Sequence, residues 1–84
     1  MEIQNSVEGR LVCDDLRKEL SKLRYNPDLK KMLHNIEIMV TEISKLEVVC
    51  RQQKSKTRLD DPLTKLNESV THFRHLLMIA QFME

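Results

Sequence analysis

Apolar residues recur along this chain at intervals of three and four, the spacing that lines one face of an α-helix, and they do so in three blocks. In the first, Val12, Leu16, Leu20 and Leu23 form a stripe that Ile3, Val7 and Leu11 extend backwards, predicting a helix over about 5–24. Gly9 sits inside that block and costs about 1 kcal/mol relative to alanine in a helix, so the residues before it are expected to fray. In the second block, Leu29, Met32, Ile36, Met39, Ile43, Leu46 and Cys50 occupy a and d positions of a heptad repeat, with Leu33 and Val40 flanking. This predicts a helix over about 27–52. Its apolar face is wider than a two-stranded coiled-coil seam requires and calls for burial against at least two neighbours. The third block, Leu63, Leu66, Val70, Phe73, Leu77 and Ala80, predicts a helix over about 62–82.

Two prolines punctuate the blocks. Pro27 follows Asn26 and Pro62 follows Asp61, which places a side-chain acceptor at each N-cap and a proline at the first helical position. The stretch over about 53–60 carries Lys54, Lys56 and Arg58 and almost no apolar residue, and reads as a solvated connection of the length common between bundle helices. The expected fold is all-α and a single domain over 1–84. It is a three-helix antiparallel bundle, or a long helical hairpin with heptad a/d seams that dimerises.

Composition narrows the function classes. A chain of 84 residues builds a marginal core without staples, and its two cysteines form neither a disulfide framework nor a zinc knuckle. Charged residues are plentiful but balance to a net +1, which argues against a dedicated polyanion binder. No run approaches the ~18 consecutive apolar residues of a membrane span, and Met1 to Arg10 lacks the pattern of a secretory signal. Cysteines without such a signal point to a reducing compartment, so an intracellular location, cytoplasmic or nuclear, is expected.

Candidate chemistry is sparse. His72 and His75 stand three apart, a chelating spacing, but a metal site needs three or four ligands and no third is expected on that face. Cys13 and Cys50 fall on apolar stripes and read as small hydrophobes. The carboxylates are scattered, with no converging pair for acid–base work. One glycine cannot build a phosphate-cradling loop. Neither enzyme activity nor a cofactor, metal or small-molecule substrate is expected. Arg51, Lys54, Lys56 and Arg58 form a basic run without interleaved aromatics, which suits a helix C-terminus and a solvated loop better than nucleic acid.

The most informative stretch is the last. Leu76-Leu77-Met78-Ile79-Ala80-Gln81-Phe82-Met83 is apolar almost all round, and a helix apolar on every face needs cover on every face. Leu76, Leu77, Ile79, Phe82 and Met83 are therefore the expected partner-binding residues. The function expected is that of a non-enzymatic protein–protein interaction module, an oligomerisation or adaptor domain completed by another subunit in a homodimer or hetero-oligomer.

One stretch adds an alternative. Asn26-Pro27-Asp28-Leu29-Lys30-Lys31-Met32-Leu33 resembles the start of the second helix in chromatin-tethering integrase-binding domains, small helical relatives of the TFIIS N-terminal domain. The resemblance implies a transcription or chromatin scaffold that grips short linear motifs. The chain differs in carrying Arg24-Tyr25 before the cap, where that family presents an acid in the interhelical loop.

Overall fold

The computed structural model describes residues 2–53 and 59–83, and among them every regular element is helical. The helices are α1 (Ser6–Ser21), α2 (Pro27–Gln53) and α3 (Asp60–Met83). The connection expected over 53–60, with its Lys54, Lys56 and Arg58, lies outside the described residues except at its edges.

Each helix start has a local cause. Asn5 is extended, and its side-chain oxygen accepts from the Glu8 N–H at 2.9 Å, satisfying one of the amides a helix N-terminus leaves open. Asn26 does the same for Leu29 at 3.2 Å, as the Asn-Pro pair predicts. At the third helix the expectation needs correcting. The helix begins at Asp60, so Asp61 is not the cap and Pro62 is not the first helical residue. Both fall in the first turn, where a missing N–H is still tolerated and two carboxylates suit the helix dipole. The half-buried Leu59, expected in a solvated loop, packs against the core beside it.

The first helix ends at Ser21, earlier than the expected Arg24. The Lys22 N–H donates to the Glu19 carbonyl at 3.2 Å and the Leu23 N–H to that of Leu20 at 3.1 Å. These tightened bonds close the helix and leave residues 22–26 to reverse the chain before Pro27.

Pairwise contacts fix the topology. Ser6 meets Glu47, Arg10 meets Ser44 and Arg17 meets Glu37, so α1 and α2 run antiparallel. Ile3 meets Asn67 and Glu19 meets Gln81, so α3 runs parallel to α1. The result is an up-down-up rod of 48 × 17 × 16 Å. The middle helix packs along both neighbours, whereas α1 and α3 meet only briefly.

That central position reshapes the heptad seam. The a residues Leu29, Ile36, Ile43 and Cys50 are buried, but the d residues Met32, Met39 and Leu46 are only half-buried. Leu33 and Val40, read from sequence as flanking, are each only 3% exposed. A helix wedged between two partners buries the strip midway between two seams, not one a/d line. From the other helices, Val12, Cys13 and Leu16, and then Leu66, Val70, Phe73 and Leu77, complete the core.

The beginning of the chain overturns the expectation of fraying. Asn67 on α3 accepts the Ile3 N–H at 2.7 Å and donates to the Ile3 carbonyl at 3.0 Å. Ile3 itself is buried. The Ser6 N–H donates to the Glu47 carboxylate at 2.9 Å, and the Ser6 hydroxyl donates to the same carboxylate. An acid on α2 thus satisfies the first turn of α1, where negative charge is favoured. Asn67→Ala would strand two backbone groups of Ile3, at an expected cost of about 1–3 kcal/mol. Hydrogen exchange should report it as faster exchange of the Ile3 amide, with the core amides unaffected below global unfolding.

At Gly9 α1 approaches α2 closely. A Cβ there would stand 3.0 and 3.2 Å from the two γ-carbons of Val40. Gly9→Ala gains about 1 kcal/mol of helix propensity, but overpacking costs about 1–3 kcal/mol. A β-branched valine in a helix has little rotamer freedom with which to yield. The substitution is therefore expected to lower the melting temperature, and to raise it when made in a Val40→Ala background. Equal shifts in both backgrounds would refute the close approach.

Candidate functional site

His72 and His75 are exposed on the outer side of α3. Contrary to the sequence expectation, a further ligand type does lie nearby. Glu68 stands one turn before His72, and Glu2 joins them in a shallow depression of about 630 Å³. Even so, among the described residues no group of three or more His, Cys, Asp or Glu is placed to hold a metal ion.

Cys13 and Cys50 are both free and buried. Burial pushes the Cys13 thiol up from its ordinary range, and the carboxylates of Glu37 and Asp14 push it further while Arg17 opposes them. A group so placed is a neutral thiol near pH 7, the opposite of a reactive thiolate. The ion pairs of Arg17 with Asp14 and Glu37, each at 3.0 Å, lie at the surface, where such pairs contribute little.

The apolar end of α3 has a more definite geometry. The Gln81 side chain donates to the Glu19 carboxylate at 3.3 Å, so the last turns of α1 and α3 stand level. The two helices end together there, α1 at Ser21 and α3 at Met83, each two residues past that bond, and the outer side of α3 stays open. Of the five residues nominated from sequence, Leu77 is buried in the core and Leu76 packs partly against it. Ile79, Phe82 and Met83 are exposed, Phe82 to 91%. Met78, absent from that nomination, is also exposed and stands one turn before Phe82. Its position four residues from Phe82 was the available signal. The structure thus divides the stretch into an inward edge, Leu76 and Leu77, and an outward patch, Met78, Ile79, Phe82 and Met83.

Apart from Tyr25, in the turn between α1 and α2, the other exposed apolar residues lie away from this patch. Val7 and Leu11 lie on the first half of α1, toward the opposite end of the rod, and Ile38 and Val48 are dispersed along α2. Scattered surface hydrophobes of this kind are normal. Among the described residues no helix is long and apolar enough to cross a membrane. No protein-family model, curated protein or solved structure matches this chain, and the eight-residue likeness at the start of α2 gains no support from them.

Proposed function

We propose that this chain is a non-enzymatic protein–protein interaction module whose bundle is completed at the α3 end by a second copy of itself. What supports the reading is one observation: Met78, Ile79, Phe82 and Met83 stay exposed together on a helix whose inner residues are fully used by the core. Monomeric soluble proteins rarely present a contiguous apolar patch without a use for it. The four side chains bear no charge that would select a differently charged partner. A patch that is apolar throughout is complementary to itself, and a two-fold contact lets the same surface serve both subunits. Phe82 is the natural anchor, because aromatic side chains dominate interface energetics. The test is sedimentation of the chain alone, before and after charge is introduced at Ile79 and Phe82.

A further inference from the structure

A second surface lies on different elements from the α3 patch and differs from it in chemistry. Between the last turns of α1 and the first turns of α2 runs a depression of about 550 Å³, within the size range of sites that take a small ligand or a few side chains. Its floor is apolar, made by Leu20, Leu23 and the buried Leu33. Its rim is basic. Arg17, Arg24 and Lys30 line it with one carboxylate, Glu37; Arg17 is itself paired with Glu37 and Asp14, each at 3.0 Å, so Arg24 and Lys30 carry the excess positive charge. Tyr25 stands at the edge, 81% exposed, with the Lys30 ammonium 5.9 Å from its ring centroid.

An apolar floor under a cationic rim defines the complementary ligand. The floor removes an apolar side chain from water, and the rim attracts negative charge on either side of it. A nucleic-acid strand fits less well, since such strands use several stacking aromatics along a basic track and this rim offers one. We propose that the groove between α1 and α2 receives a short acidic segment of a partner protein, anchored by a single apolar side chain. No residue of α3 lines the groove, so this interaction and self-association through α3 stand or fall separately.

The experiment is an amide chemical-shift titration of the whole chain with a blocked peptide of glutamates flanking a central phenylalanine. Saturable shifts are expected around Leu20, Leu23, Tyr25 and Lys30. Replacing the phenylalanine of the probe by serine should abolish them. Lys30→Glu should weaken binding by about tenfold, a factor of ten corresponding to about 1.4 kcal/mol. Lys30 is exposed, so an unchanged melting curve will certify that the variant is folded, and Tyr25→Ser supplies an independent loss of affinity. Absence of shifts at millimolar peptide would overturn the proposal. So would shifts confined to Ile79 and Phe82, equal binding of an oligouridylate, or affinity unaltered in both variants.

Discussion

Truncating Phe73 to alanine is expected to cost about 3–5 kcal/mol, enough to leave the domain largely unfolded at 37 °C. Phe73 is 0% exposed, and removing a buried aromatic forfeits its transfer free energy and leaves a cavity that the surroundings fill only in part. Domains have only about 5–15 kcal/mol of net stability, and small ones lie at the low end. Ile43, 1% exposed at the middle of α2, should follow with about 2–5 kcal/mol on truncation to alanine, and Ile36 similarly. The contrast is with Ile38 and Val48 on the same helix, both 46% exposed, where truncation should stay within about 0.5 kcal/mol. Urea denaturation of the five variants would measure the difference. A melting curve indifferent to Phe73→Ala, or to Ile36→Ala and Ile43→Ala together, would mean that the core face has been misassigned.

These residues were legible in the sequence because a helix places positions three and four apart on one face, and that arithmetic needs no tertiary information. The same local arithmetic explains Asn26, whose cap bond spans three residues. It fails where the deciding contact is distant. Asn67 holds Ile3 across 64 residues, and Glu47 meets Ser6 across 41. Neither side chain differs in sequence from an ordinary polar residue on a helix surface. Gly9 was misread for the same reason, since its penalty is local and its benefit depends on Val40 passing within contact distance. The burial of Leu33 and Val40 beyond the d positions likewise follows from α2 having two neighbours. A one-dimensional pattern can suggest that arrangement but cannot orient it.

The candidate site shows the same division. An apolar stretch at the end of α3 was plain from composition, but which of its residues face outward depends on which side of α3 packs against the other helices. Leu77 continues the buried row of Leu66, Val70 and Phe73, so it serves the monomer. Met78 turns away from that row and joins Phe82. The groove between α1 and α2 had no sequence signature, because Leu20, Leu23, Lys30 and Leu33 come together only when the chain reverses at residues 22–26.

The second large effect is expected from Ile79→Asp combined with Phe82→Asp. Both side chains are exposed in the single chain, to 44% and 91%, so neither substitution removes a core contact. If the patch is a two-fold interface, the change sets four carboxylates facing one another across the contact, where burying unpaired like charges costs several kcal/mol. The double variant should be monomeric with an unchanged helical signal, or should unfold if folding and association are coupled. Retention of the dimer would place the interface elsewhere.

Sedimentation equilibrium of the unmodified chain, from about 1 to about 100 micromolar and without any partner, tests the central claim most directly. The account predicts that the weight-average mass rises with concentration from 10.0 kDa toward twice that value. A folded protein that remains at the monomer mass throughout the range would contradict it.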